Sequence, residues 1–181
     1  VSLAVYENGV AQEMFKAVHG EGVYGLVEKL ARTNIVVDVI SGTSAGGING
    51  IMLAFALANG GEYANSAALW REHGDLLRLL RKPDDPITTS LLDSEGYFQA
   101  RLVEGLAKLL PEPGRERPIR CPEIDLYVTG TNVRGNVHTT CDDLGHSIDV
   151  KDHRAVFKLC FRRNRKNEFG PDEHLPNVRM K

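Results

Sequence analysis

The residues of this chain best suited to chemistry gather at one place. Gly42-Thr43-Ser44-Ala45-Gly46 reads G-x-S-x-G, the pattern that sets a serine hydroxyl on a sharp turn between a strand and a helix. A serine held there is a nucleophile toward an ester carbonyl. Small flanking residues let neighbouring chain pass close. The free N–H groups at the start of the following helix favour the negative charge of an oxyanion. The same glycines do not suit phosphate. A P-loop needs Lys after its last glycine, and Ile48 follows Gly47. A dinucleotide fingerprint needs its three glycines directly after the strand. Ala45-Gly46-Gly47-Ile48-Asn49-Gly50 is one glycine short and already inside the helix. The histidines that follow Ser44 are His73, His138, His146, His153 and His174. Asp142 with His146, or Asp149 with His153, are merely near in sequence, and each reads as an ordinary polar or surface residue. Cys121, Cys141 and Cys160 are odd in number and widely spaced. They form neither a disulfide framework nor a CxxC metal site. No metal and no cofactor is expected.

The serine needs a strand before it and a helix after it, and both are legible. Ile35 to Ile40 is a β-branched run, the strongest strand signal in the chain. Residues 48–58 are apolar nearly all round and predict a buried helix. Upstream, Val1 to Tyr6 fits the end of a strand or the entry to a helix. Val10, Met14 and Val18 stand at helical spacing. Gly20 and Gly22 break that pattern, residues 23–32 resume it, and Thr33-Asn34 forms a turn. Downstream, residues 63–81 predict a helix carrying Trp70, and the prolines of residues 82–86 end it. Residues 91–110 place Phe98, Leu102, Leu106 and Leu109 on one face of an amphipathic helix. Residues 111–122 hold four prolines and form a loop. Ile124–Thr131, Val137–Thr140 and Val156–Phe161 predict three further strands. Strands separated by helical stretches argue an α/β fold with a mostly parallel sheet.

Composition narrows the class. The chain has 181 residues, one domain's worth, and 42% of them are hydrophobic, enough for one sizeable core. Its 22 basic and 24 acidic residues leave a net charge of −2, which argues against a generally basic nucleic-acid binder. No apolar run approaches the length of a membrane span, and residues 1–20 lack the pattern of a secretory signal. A cytoplasmic protein is the resulting expectation. The chain begins at Val1 rather than Met and ends in a polar segment, so a piece of a longer protein is expected. Residues 1–161 read as the folded part. Residues 162–181, with Arg162, Arg163, Arg165 and Lys166, read as an exposed or disordered basic tail.

The run Asp38-Val39-Ile40-Ser41-Gly42-Thr43-Ser44-Ala45-Gly46-Gly47-Ile48-Asn49-Gly50 closely resembles the nucleophile elbow of patatin-like phospholipases. Val1-Ser2-Leu3-Ala4-Val5-Tyr6-Glu7-Asn8-Gly9-Val10 resembles the stretch just after that family's glycine-rich oxyanion loop, as found in a bacterial patatin-related subgroup. Val128-Thr129-Gly130-Thr131 with Gly135 weakly resembles a mid-domain strand and turn. The likeness is strong over residues 1–60 and thin over 61–160. It implies a three-layer α/β/α sandwich around a mainly parallel sheet, incomplete in this chain. It also implies a lipid acyl hydrolase working through a Ser-Asp dyad, with Ser44 as nucleophile, a lipid ester as substrate and peripheral contact with a membrane. Val1 and Ser2 would continue the oxyanion hole. Two departures stand against this. The family's G-G-G-x-[RK]-G loop would lie before Val1, with Leu3 near the usual basic position. Its Asp-Gly-[Gly/Ala] motif is absent, and Asp142-Asp143-Leu144-Gly145 does not supply it. No Asp-Gly occurs in the chain, so the dyad aspartate is expected beyond Lys181. The alternative is a truncated, catalytically inactive module that acts in binding.

Overall fold

The computed structural model describes residues 2–64, 66–84, 86, 90–163 and 170–171. The opening segment is a helix, α1 (Ser2–Val18). Its buried residues include Ala4, Asn8, Ala11, Phe15 and Val18, a stripe of helical period. Val10 and Met14, expected beside Val18, are exposed instead. The inward stripe carries small residues and an asparagine, so α1 sits close to its neighbour and bonds to it. Gly20 and Gly22, both at positive φ, end it and start α2 (Val23–Ala31).

Strand β1 (Val39–Thr43) feeds α3 (Ala45–Ala58) through Ser44. The β-branched run begins four residues too early for this strand. Val39 pairs with Asp125 of β2 (Glu123–Cys141), and Pro122, just ahead of β2, has no N–H to offer a ladder. Of residues 35–38 it is Asp38 that still reaches β2, its carbonyl accepting the Asp125 N–H at 2.7 Å, and the ladder starts at Val39.

The helix expected over 63–81 is two pieces, α4 (Ser66–His73) and α5 (Leu76–Leu79). A Cβ on Gly74 would stand 2.5 Å from the Trp70 carbonyl, and Asp75 Oδ1 accepts the Leu77 N–H at 3.0 Å, restarting the chain as a cap. A π-helical turn (Ser94–Phe98) then runs into α6 (Gln99–Ala107). Leu109 is fully buried and Phe98, Leu102 and Leu106 half-buried, so the face expected of residues 91–110 does turn inward.

β2 and β3 (Ser147–Arg162) form one long hairpin, and β4 (Gly170–Pro171) joins its edge. The sheet order is β1-β2-β3-β4. β1 and β2 are parallel, joined by the long helical crossover that parallel pairing requires. β2–β3 and β3–β4 are antiparallel, so the described sheet is mixed rather than mainly parallel. The turn at residues 142–146 is too short for anything but a hairpin. The two expected strands 137–140 and 156–161 are the ends of these longer ones.

Helix α3 is the centre of the core. Met52, Leu53, Ala54, Ala56, Leu57 and Ala58 pack with Phe15 and Val18 of α1 and with Ile40, Ile124, Leu126 and Phe161 of the sheet. Val39, Ser41 and Thr43, which point to the other face of β1, are exposed. Among the described residues no helix covers that face of β1, and the described α/β core lies on the α3 side of the sheet. The basic run at 165–166 lies outside the described residues; Arg162 closes β3, bonded to Asp125.

Candidate active site

Ser44 is the N-terminal cap residue of α3, at φ 54° and ψ −123°. That is a backbone conformation non-glycine residues rarely hold. It follows from the local sequence. The chain must leave β1 and enter α3 within one residue, and the glycines on either side allow it. A Cβ on Gly42 would lie 2.4 Å from the Gly46 carbonyl oxygen and 2.6 Å from the Gly47 nitrogen. A Cβ on Gly50 would meet Ile40 Cγ2 at 3.0 Å, so that glycine brings helix and strand together. The Ile48 N–H donates to the Ser44 carbonyl at 3.2 Å, the first bond of the helix. The N–H groups of Ala45, Gly46 and Gly47 lie in the first turn, where no intrahelical acceptor exists. Ser44 itself is exposed. Thr43, its neighbour on β1, is hydrogen-bonded through its hydroxyl to Thr129 of β2, which ties the turn to the sheet.

The start of α1 lies beside this turn. Asn49 Nδ2 donates to the Ala4 carbonyl at 3.0 Å. Glu7 Oε2 is buried without a hydrogen-bond partner among the described residues, 3.8 Å from where a Cβ on Gly46 would stand. A carboxylate there faces the positive end of α3. The sequence offered no signal for Glu7. Behind it, Asn8 Nδ2 donates to Asn49 Oδ1 at 3.1 Å, to the Tyr63 hydroxyl at 3.1 Å and to Ser66 Oγ at 3.0 Å. Trp70 Nε1 donates to the same Asn49 oxygen at 2.7 Å. Burial pushes the Tyr63 phenol well above its ordinary range, against a smaller opposing effect of Ser66. This buried network fixes α1, α3 and α4 to one another.

Of the sequence-derived oxyanion residues, Val1 lies outside the described residues and Ser2 is the first residue of α1. The histidine–aspartate neighbours are not brought to Ser44. Asp142 caps the hairpin turn, accepting from the N–H groups of Leu144 at 2.9 Å and His146 at 2.7 Å and from His146 Nδ1 at 3.1 Å. Those bonds, first of all that from the His146 backbone, hold its carboxyl below the usual range. β2 leaves the elbow at Thr129. Cys141 pairs with Ser147 and Thr129 with Val156, so nine residues of β3, roughly 30 Å of strand, separate the elbow from the hairpin turn. Asp125, nearer to β1, is hydrogen-bonded to Arg162 and lies 3.3 Å from Lys158 Nζ. Burial would raise its pKa, but these two cations together hold it below the carboxylate norm. Cys121 is buried, which raises its thiol pKa, and its sulfur takes the Val37 N–H at 3.5 Å. Among the described residues no cluster of three metal-ligating side chains occurs, and no helix is long and apolar enough to cross a membrane.

A family model described as patatin-like phospholipase matches residues 2–179, through the basic segment that follows β3. The chain is 38% identical over 125 residues to the uncharacterized membrane protein Rv3479 of Mycobacterium tuberculosis (strain ATCC 25618 / H37Rv). That alignment covers 67% of this chain and 12% of the relative, so the chain spans a small fraction of the relative's length. No solved structure matches significantly.

Proposed function

Because the chain belongs to the patatin-like phospholipase family, we propose that it carries the nucleophile of a lipid acyl hydrolase and that Ser44 is that nucleophile. The observation that carries the reading is the Ser44 backbone: a non-glycine residue at φ 54°, exposed, between a strand and a buried helix. Ser44 Oγ attacks the carbonyl carbon of a lipid ester and gives its proton to an aspartate of the whole protein that lies outside residues 1–181. The oxyanion is held by backbone N–H groups of a glycine loop preceding Val1 and continuing through Val1 and Ser2. The bond between Asn49 and the Ala4 carbonyl, which sets the start of α1 beside α3, supports that placement. The ester C–O bond breaks, the proton passes to the leaving alkoxide, and water then releases the fatty acid from the serine. Each oxyanion donor is worth roughly 2.7–4 kcal/mol of barrier. No step requires a metal or a cofactor. The substrate is met in peripheral contact with a membrane, a reading for which the relative's description as a membrane protein is the support.

The test uses a fluorophosphonate, which labels activated serines covalently. Full-length protein should be labelled at Ser44 and should cleave p-nitrophenyl esters. Ser44→Ala should abolish both. Esterase activity that survives Ser44→Ala would sink the assignment. Absence of labelling in the full-length protein would favour the reading of a catalytically inactive binding module.

A further inference from the structure

Helix α2 is inverted. A surface helix ordinarily lays its apolar stripe on the core. In α2 the apolar residues Val23, Leu26, Val27 and Leu30 fall within about 100° of arc, and they are between 44% and 86% exposed. No residue of α2 is buried. Its polar and small residues face the protein instead. Glu28 pairs with Arg120 at 2.9 Å. Tyr24 donates to Glu13 Oε2 at 3.2 Å. A Cβ on Gly25 would stand 2.5 Å from the Gly20 carbonyl oxygen. These contacts fix which side of the helix points outward, so the exposed stripe is built into the fold. The apolar surface continues on α1, where Leu3, Tyr6, Val10 and Met14 are exposed at helical spacing. That band starts next to Ala4, whose carbonyl is bonded to Asn49 of α3. It therefore leads from the elbow to the Glu13–Tyr24 bond and on to α2.

The charges indicate what such a band fits. Glu13 is paired with Lys16, Glu21 with Arg117 and Glu28 with Arg120. Lys29 and Arg32, the last turn and C-cap of α2, have no ion-pair partner among the described residues. The charge left over on this helix is positive. An outward apolar stripe edged by uncompensated cations complements a surface that is apolar inside and anionic at its boundary.

We propose that α2 docks on a bilayer containing anionic phospholipid. Its stripe enters the acyl boundary, Lys29 and Arg32 meet headgroup phosphates, and the α1 band extends the contact toward Ser44. The choice of a lipid surface rests on the acyl-hydrolase reading, whereas the docking does not require Ser44 to react.

The test uses full-length Ser44→Ala protein and mixed phosphatidylcholine–phosphatidylglycerol vesicles. The protein should co-sediment with them, and hydrogen exchange of residues 23–31 should slow on the vesicles. Leu26→Ser with Leu30→Ser should weaken the binding roughly tenfold or more and abolish the slowing. Both side chains point outward, so the urea midpoint should not fall. Lys29→Gln with Arg32→Gln should weaken binding to the mixed vesicles roughly fivefold per charge and leave binding to pure phosphatidylcholine unchanged. This second pair decides the matter if the serine variant misfolds. Unchanged exchange over residues 23–31 on vesicles that the protein binds overturns the proposal, as does a charge pair whose loss changes nothing. Exchange already slow without vesicles, together with a lower urea midpoint in the serine variant, overturns it in favour of a protein surface covering the stripe. All of these readings are taken without the serine hydroxyl, so failure here leaves the nucleophile to the labelling assay. Failed labelling of Ser44 with docking intact counts against the nucleophile and leaves α2 as a lipid-binding helix.

Discussion

At the scale of single residues the elbow is held by what its glycines lack. The Ser44 conformation survives only because the chain on both sides can close to backbone contact. Any side chain on Gly42 would be driven into the carbonyl of Gly46 at 2.4 Å, and backbone has nowhere to go without opening the first turn of α3. Gly42→Ala should therefore cost about 1–3 kcal/mol of stability and most of the fluorophosphonate reactivity of Ser44. The check is a urea unfolding curve run beside the labelling assay. A variant as stable and as reactive as wild type would show that the turn is not under this constraint. By contrast Gly9, where a methyl group would meet nothing within 4 Å, should accept alanine with little effect on either measurement. The two glycines look alike in sequence and differ only in what faces them.

At the scale of elements, α1 is fixed to α3 and α4 by polar bonds as much as by apolar area. Asn8 is 1% exposed and Asn49 2% exposed, and they join segments more than 40 residues apart. Asn8→Leu removes a donor shared by Asn49, Tyr63 and Ser66 and leaves Ser66 Oγ without its Asn8 partner. A loss of about 2–3 kcal/mol follows, read as a lower urea midpoint. No loss would mean that water replaces the asparagine. This network also shows where a sequence falls silent. The strand–serine–helix unit is local, so a β-branched run, a glycine cluster and an all-apolar helix suffice to read it. Asn8, Asn49, Tyr63 and Ser66 come from separate segments with no shared period, and nothing in any one segment announces that they meet. The outer half of the β2–β3 hairpin is legible only at Val137–Thr140, for another reason. Its residues are exposed on both faces, so no alternation marks it, and backbone pairing alone continues the strands past Thr131. The parallel arrangement inferred from alternating helices and strands holds for β1 and β2, which a crossover joins, and fails where a short turn intervenes.

Across the whole molecule, the packing of α1 against the 111–122 loop sets a dependence on pH. His19 follows α1, its ring 4.5 Å from that of Phe15, and both ring nitrogens are buried without hydrogen-bond partners among the described residues. Arg117 sits over the Phe15 ring at 5.5 Å and is itself paired with Glu21 and Glu62. Burial first, then the charge of Arg117, hold the His19 pKa below its ordinary 6.5, and Glu21 opposes them more weakly. A histidine whose folded pKa is depressed binds fewer protons folded than unfolded once the pH falls below 6.5. Stability therefore declines from that point downward until the folded pKa is passed, and His19 contributes nothing to the slope above it. The carboxylates held low, Asp125 and Asp142 among them, act in a separate window, because their unfolded values are 3.8. Their stabilisation is present above that value and lost below it. The two effects can thus be separated in one titration. Urea midpoints measured between about pH 7.5 and pH 5 should fall in the wild-type protein, and the fall should flatten in His19→Leu, which has no proton to gain. The further drop below about pH 4.5 should persist in both. An unchanged slope in His19→Leu between about pH 6.5 and pH 5 would assign the titration to another group and remove the buried ring as its cause.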